Sequence, residues 1–224
     1  SGEAWLTVNN VYSYSGTLYQ RDLAAYHAGV TKPYFLIENA YEGDSNHDPS
    51  APELRAQSYW TVLSGGFGHV FGNCPIWHFS SPAGQQYCSG AWQSALTSQG
   101  TLNMQYLQKL FTARHWHLLV PDEANLAITA GKGTLGSTDY ATAAVASDNS
   151  SIIAYLPSSR SVTVDGGVLA SSGSVTGWWY NPATGASAAT NPATFSTAAP
   201  QVLTPPAGDW VLVVDNPSFN FPAP

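Results

Sequence analysis

The sequence predicts an α/β region followed by an all-β region, with the change of character near Pro121. Up to residue 116, short apolar runs alternate with segments of helical pattern, which is typical of parallel strands joined by crossover helices. From Leu126 onward, short apolar runs are separated by Gly, Ser, Asn and Pro, and no helical period remains. We therefore expect two parts, residues 1–120 and residues 121–224.

Three apolar runs are the predicted parallel strands of the first part. They are Trp5–Val11, Tyr34–Glu38 and Phe67–Phe71. The second run is apolar at four consecutive positions, which suits a strand covered on both faces. Glu38 ends this run, and the carboxyl end of a buried parallel strand is where barrel enzymes keep catalytic groups. The alternative is that Glu38 pairs with a buried Arg or Lys.

Helical signals follow each predicted strand. The predicted helices are Thr17–His27, Pro52–Leu63 and Leu102–Trp116. Gly29 is a candidate stop for the first helix, and Ser50 is a candidate cap for the second, which has Pro52 at its first position. Ser98 or Thr101 could cap the third.

The second part has the strand spacing of an antiparallel β-sandwich of about 90–100 residues. The predicted strands include Ala141–Ala146, Ser151–Leu156, Ser161–Val164, Ser174–Tyr180 and Trp210–Val214. A turn is expected at Asn181–Gly185. Trp178 and Trp179 are adjacent and must point to opposite faces of their strand. We expect one in the core and the other against the first part or a turn.

The composition restricts the class of partner. Charged residues are only 9% of the chain, against about 25% in ordinary soluble domains, and the net charge is −7. Nucleic acids and anionic membranes bind basic patches, so neither is an expected partner. Eight Trp and 12 Tyr fit carbohydrate binding, although they could simply fill the cores.

Cys74 and Cys88 are the two cysteines of the chain. An even count and close spacing predict one disulfide that closes a loop. Together with the low charge and abundant Ser, Thr, Ala and Gly, it indicates an exported protein, secreted or periplasmic. No apolar run approaches the length of a membrane span.

Five ordered motifs resemble one protein family. They are ENAYEG, LRAQSYWTVLSGGFGHVFGNCPIWHF, LFTARHWHLLVPD, GWWYNPATGA and GDWVLVVD. Together they resemble the apiosidase-like glycoside hydrolases, in which a (β/α)8 barrel is followed by a β-sandwich once described as collagen-binding. The resemblance implies the last three βα units of the barrel in residues 1–120 and the C-terminal antiparallel β-sandwich in residues 121–224.

The resemblance also implies a missing part. Three strands cannot close a barrel, and their apolar faces and edges would be uncovered. We therefore expect an N-terminal part, or a second polypeptide, to supply the first five strands.

Glycoside hydrolysis normally uses two carboxyl groups. The resemblance implies that Glu38 is the nucleophile of a retaining enzyme, because it matches the end of the seventh barrel strand. The acid/base belongs near the end of the fourth strand, in the missing part. Glu42 is a weaker local alternative, and we expect it to bind substrate or to anchor Arg55.

Further candidate residues for binding a carbohydrate substrate lie near the strand ends. They are Tyr12, Tyr14, Glu42, His69, Trp77 and His78. The two tyrosines are expected where a phenol could hydrogen-bond Glu38; the family often carries Gln and His in this region, whereas this chain has VYSYS. His69 could contact a sugar, orient Glu38 or be a satisfied core histidine. Trp77 could form the floor of a sugar subsite or pack on the disulfide loop.

No metal or cofactor is expected. His47 with Asp44 and Asp48, and His115 with His117, lack a recognised ligand spacing. Two other functions remain open. One is a non-catalytic carbohydrate- or protein-binding module, and the other is hydrolysis of a non-sugar polymer in the same cleft.

Overall fold

A computed structural model of the chain describes residues 5–28, 32–171 and 173–224. Its first part contains β1 (Asn9–Tyr12), α1 (Leu18–Ala28), β2 (Tyr34–Glu38), α2 (Ala51–Leu63), α3 (Cys74–His78), α4 (Trp92–Ala95) and α5 (Gln99–Thr112). Its second part contains β3 (Leu119–Pro121), β4 (Ile128–Ala130), β5 (Thr142–Ala146), β6 (Ser151–Leu156), β7 (Val162–Val164), β8 (Ser174–Tyr180), β9 (Ser187–Ser196), β10 (Gln201–Leu203) and β11 (Trp210–Asp215).

The first predicted strand and the third predicted helix have different bounds in the structure. β1 begins at Asn9 rather than Trp5, which is exposed. α5 begins at Gln99, directly after Ser98, and ends at Thr112. The helix α2 confirms its predicted cap: Ser50 and Glu53 form a reciprocal capping box. Gly29, the predicted stop for the first helix, lies outside the described residues.

β1 and β2 pair in parallel, but the third predicted strand, Phe67–Phe71, is not a full strand. It forms one parallel bridge to β2, between Leu36 and His69. Leu36 N donates to Gly68 O at 3.0 Å, and Val70 N donates to Leu36 O at 2.9 Å. The prediction of a strand was therefore wrong in extent, although its parallel position beside β2 is confirmed. Among the described residues, the segment Phe67–Phe71 pairs with β2 alone, so it forms only a short run of backbone hydrogen bonds.

Helices cover only one face of this parallel layer. Leu36 is buried on that face, in a cluster with residues of α1 and α2. Successive side chains of a strand point to opposite faces, and large apolar side chains of the layer remain in contact with solvent. Tyr12 is 59% exposed, Ile37 40% and Val70 52%. One face of the layer is therefore uncovered by the described chain.

The second part contains two antiparallel sheets. The strand order is β3-β5-β6-β11-β8-β9 in the larger sheet and β10-β7-β4 in the smaller. β6 and β8 have their predicted bounds, whereas β9 was missed because its sequence, SAATNPATFS, is poor in β-branched and aromatic residues. The predicted turn is confirmed, since Gly185 N donates to Asn181 O at 2.9 Å.

The central strands of the larger sheet, β5, β6 and β11, are buried on both faces. In β6, Ile152 contributes to the core shared with the smaller sheet, whereas Ile153 packs toward the helices of the first part. The same alternation separates the adjacent tryptophans. Trp179 lies in the core between the sheets, and Trp178 packs against the cluster that contains the helices. The expectation that they face opposite ways is confirmed.

Two buried ion pairs join the parts. Arg55 of α2 donates to both carboxylate oxygens of Asp209, each at 2.8 Å. Arg114 Nη2 donates to Asp215 Oδ2 at 2.8 Å. The predicted pairing of Arg55 with Glu42 is therefore wrong, because Asp209 satisfies the guanidinium across the junction.

Candidate active site

Glu38 lies at the carboxyl end of β2, beside the end of β1. The Tyr14 hydroxyl donates to Glu38 Oε1 at 2.9 Å, and the Tyr12 hydroxyl donates to the same oxygen at 3.4 Å. Burial, and then the hydrogen bond to Glu38, raise the pKa of Tyr14 well above its usual value. Tyr14 therefore keeps its proton at neutral pH and presents it to the carboxylate.

The loop after β2 packs against the face of the Tyr14 ring. The Tyr14 ring stacks on His47 with ring centroids 4.8 Å apart. His47 Nδ1 lies 2.7 Å from Asp44 Oδ2. Burial tends to raise the pKa of Asp44, but hydrogen bonds from His47 and from the Asn46 backbone lower it overall. An ionised Asp44 thus orients His47, and His47 holds the ring whose hydroxyl reaches Glu38.

Tyr41 also lies near Glu38, and the sequence analysis did not select it. Burial first, and then the negative charge of Glu38, raise its pKa. Its ring lies against Gly72, where a Cβ atom would meet a Tyr41 ring carbon, and it meets the Trp77 ring edge-on at 6.1 Å. The available signal was its position between the two carboxylates of ENAYEG.

Trp77 and His78 lie on α3, just after the third parallel segment. Trp77 is 58% exposed, and its ring centroid lies 4.2 Å from that of the His78 ring. His78 Nε2 in turn lies 3.2 Å from the Tyr87 hydroxyl. The predicted disulfide, Cys74–Cys88, is confirmed, with 5.2 Å between the Cα atoms. It closes the loop that holds these aromatic rings.

Glu42 points toward α5. Its carboxylate accepts hydrogen bonds from Asn73 Nδ2 at 3.0 Å, Ser98 Oγ at 2.6 Å and Gly100 N at 2.8 Å. A carboxylate is favourable at a helix N-terminus, where backbone N–H groups lack partners within the helix. Glu42 therefore ties the loop after β2 to the start of α5.

His69 packs under α2 in a polar network. Its Nδ1 lies 2.7 Å from Ser58 Oγ, and its Nε2 lies 3.2 Å from Asn39 Oδ1. Asn39 Nδ2 in turn donates to Gln57 Oε1. Burial lowers the pKa of His69 to about 4, so the ring is neutral at physiological pH. Both ring nitrogens of the half-buried His69 therefore have protein partners.

The structure brings Tyr12 and Tyr14 to Glu38, and Trp77 to His78 and Tyr41. Within residues 5–28, 32–171 and 173–224, no group of three or more His, Cys, Asp or Glu side chains has the arrangement of a metal site. In the same residues, no helix combines the length and apolar character that crossing a membrane requires.

The solved structures that resemble this chain include two glycoside hydrolases. One, titled "Glycoside hydrolase", has a TM-score of 0.82 and 22% identity, covering 96% of this chain and 54% of that one. The other, a glycoside hydrolase family 5 protein from Bacteroides vulgatus, has a TM-score of 0.81 and 24% identity, covering 97% and 52%. The chain therefore spans about half the length of these relatives. No curated protein matches it.

Two family models match successive parts of the chain. Residues 120–215 match the model described as "Putative collagen-binding domain of a collagenase". Residues 1–117 match the model of the "Apiosidase-like, catalytic domain", which covers just over half of the 224 residues. The chain therefore belongs to the apiosidase-like family of glycoside hydrolases.

Proposed function

We propose that this chain supplies the nucleophile of a retaining glycosidase, with Glu38 attacking the anomeric carbon of a polysaccharide or of its side chains. The observation that carries the proposal is the pair of phenols on Glu38 Oε1, at 2.9 and 3.4 Å. They hold one carboxylate oxygen, and the second oxygen is left to form the bond to carbon. The glycosidic C–O bond breaks as this bond forms, and the acid/base protonates the leaving oxygen. Water deprotonated by the same acid/base then displaces Glu38 from the covalent glycosyl-enzyme, which gives retention.

The acid/base is proposed to come from outside this chain. The uncovered face of β1, β2 and the segment Phe67–Phe71 supports a (β/α)8 barrel of which residues 1–120 form the last three βα units. Residues 121–224 are the accompanying β-sandwich. A second polypeptide or an N-terminal part would cover that face. Its carboxyl group should lie about 5–5.5 Å from Glu38 for retention, whereas an inverting enzyme needs about 6.5–9.5 Å.

The remaining site residues divide into two roles. Tyr41, Trp77 and His78 are proposed to form an aromatic wall for the sugar, because Trp77 is exposed beside rings that fix it. Glu42 and His69 are proposed to position loops, since protein groups already engage the Glu42 carboxylate and both His69 ring nitrogens. A disulfide is typical of oxidising compartments, so the protein is proposed to act outside the cytoplasm.

The test uses the complete protein with a panel of 4-nitrophenyl glycosides and plant or bacterial polysaccharides. Glu38→Gln keeps the shape of the side chain and removes the nucleophile, so kcat should fall roughly 10⁴-fold. Glu123→Gln, at an exposed carboxylate paired with His27, is the matched control and should keep full activity. Activity of Glu38→Gln equal to that of the unchanged protein would remove Glu38 from the mechanism.

Two further measurements separate nucleophile from base. Azide should restore turnover of Glu38→Gly on an activated aryl glycoside and yield a glycosyl azide, because the small anion enters the space of the carboxylate. Proton NMR of the first-formed sugar should show the anomer of the substrate. Release of the opposite anomer would rule out the covalent route and assign Glu38 as a general base.

A second candidate is a non-catalytic binding module. The match of residues 120–215 to a domain described as collagen-binding favours it. Collagen or polysaccharide that binds the complete protein saturably, with no hydrolysis of any substrate in the panel, would support this candidate over the glycosidase.

A further inference from the structure

A cavity of about 400 Å³ lies where the first part meets the second, next to the Glu38 site. Tyr14 and His47 line it from the first part, and Thr138 and Asp139 line it from the second. Its volume is within the range of about 300–1,000 Å³ that small-molecule sites occupy. The cavity is therefore large enough for a ligand and is built by both parts of the chain.

Tyr14 is shared between this cavity and Glu38. Its hydroxyl lies 2.9 Å from Glu38 Oε1, while the same side chain lines the cavity. His47, stacked on the Tyr14 ring, lines the cavity as well. Glu38 does not line the cavity, and Tyr14 connects the two sites, so a substrate that extends from Glu38 would reach the cavity by passing Tyr14.

The opposite wall is a loop of the second part, residues 134–140, which is fixed on α1. The buried Tyr19 hydroxyl donates to Ser137 O at 3.0 Å and accepts from Gly136 N at 2.7 Å. The Tyr19 ring stacks on Tyr140 with centroids 5.1 Å apart. Thr138 and Asp139 are therefore presented by a loop that is anchored on both sides of them.

The lining of the cavity has the chemistry that recognises sugars. Apolar surface comes from Trp60 and three prolines, and polar groups come from side chains of both parts. The polar residues are Ser15, Glu53, Gln57, Thr138 and Asp139. Carboxylate and amide oxygens accept hydrogen bonds from hydroxyl groups, while rings cover apolar C–H faces. Both carboxylates already have protein partners, Ser50 for Glu53 and Arg160 for Asp139, and each can accept a further hydrogen bond from a hydroxyl group of a neutral sugar.

We propose that this cavity is a second sugar subsite, so that the substrate is an oligosaccharide or polysaccharide chain running from Glu38 onto the second part. This inference rests on the proposed glycosidase function. It assigns to the β-rich part a role in substrate length recognition, through Thr138 and Asp139 on the 134–140 loop.

The test fills the cavity without replacing any of the residues around Glu38. Thr138→Trp places a large ring in the cavity from an exposed position, so the fold should tolerate it. Thr134→Trp is the control, because Thr134 is exposed on the same loop and does not line the cavity. The readout is the ratio of kcat/KM for the 4-nitrophenyl glycoside of a trisaccharide to that of the matching monosaccharide, both from the cleaved polysaccharide.

In the complete protein, Thr138→Trp should lower this ratio at least tenfold, mainly through a higher KM for the trisaccharide. Thr134→Trp should keep the ratio within twofold of the unchanged protein. An unchanged ratio in Thr138→Trp, with normal hydrolysis of the monosaccharide glycoside, would overturn the subsite and leave the glycosidase function standing.

Binding provides a readout that does not depend on catalysis. Calorimetric titration of the same trisaccharide into Glu38→Gln and into Glu38→Gln/Thr138→Trp should show at least tenfold weaker binding to the second protein. If Thr138→Trp weakens binding in this way but the complete protein hydrolyses no substrate, the result would support the sugar subsite and contradict the glycosidase function. Equal binding by the two proteins would overturn the subsite.

Discussion

β2 and β6 carry similar apolar runs, YFLIE and SIIAYL, but the structure surrounds them differently. In β6 all six residues are buried, because helices cover one face and the smaller sheet covers the other. In β2, Ile37 remains 40% exposed on the face that the described residues leave uncovered. An apolar run therefore predicts that a strand needs cover on both of its faces, but it does not show whether this chain provides that cover.

The largest expected effect tests the junction that covers β6. Arg55→Met leaves Asp209 buried without its bidentate partner, and removing one member of a buried pair costs about 3–5 kcal/mol. Urea unfolding followed by circular dichroism should show this loss. Glu123→Gln breaks a pair whose side chains are both largely exposed, so its effect should stay below about 1 kcal/mol. A loss below 1 kcal/mol for Arg55→Met would contradict the view that this pair holds the parts together.

The next effect compares the two strands directly. Ile153→Ala in β6 should lower the free energy of unfolding by about 2–5 kcal/mol, because it opens a cavity in a closed core. Ile37→Ala should cost much less in residues 1–224 alone. Adding the proposed N-terminal part should raise the cost of Ile37→Ala toward that of Ile153→Ala. If the cost is the same with and without that part, the uncovered face is not its docking surface.

The smallest effect, measured per pH unit, concerns a buried carboxyl under β2. Asp22 accepts a hydrogen bond from Thr61, and burial raises its pKa to about 7. The folded state therefore holds a proton that the unfolded state releases above pH 4. This stabilisation is complete below pH 4 and is lost as the pH rises through 7, at no more than about 1.4 kcal/mol per pH unit.

Asp22→Asn should remove this component, so its stability should fall less steeply than that of the unchanged protein between pH 4 and 7. Urea unfolding at each pH measures the slope. In the second part, burial also raises the pKa of Asp215, although its partner Arg114 opposes the rise, so Asp215 contributes to the slope that remains in Asp22→Asn. Equal slopes for the two proteins would assign the pH dependence to other groups.

The sequence by itself determined the features whose partners lie nearby or follow from a periodic pattern. Four such features follow from spacings of a few residues. They are the apolar run ending in Glu38, the capping box at Ser50, the turn at Asn181–Gly185 and the opposite faces of Trp178 and Trp179. The position of Tyr14 beside Glu38 was also predictable, because the ends of adjacent parallel strands meet at one edge of a sheet. The family resemblance supplied the role of Glu38.

Only the tertiary structure decided how the remaining polar groups are used. Arg55 and Asp209 are 154 residues apart in the chain, and Tyr19 and Ser137 are 118 apart, so no local pattern connects them. Glu42 turned toward the start of α5, where Ser98 Oγ and Gly100 N donate to its carboxylate, and Asn73 Nδ2 donates to it from the position before α3. Such groups are satisfied only once the chain has folded, since a buried donor or acceptor takes whichever partner the packing brings within about 3 Å.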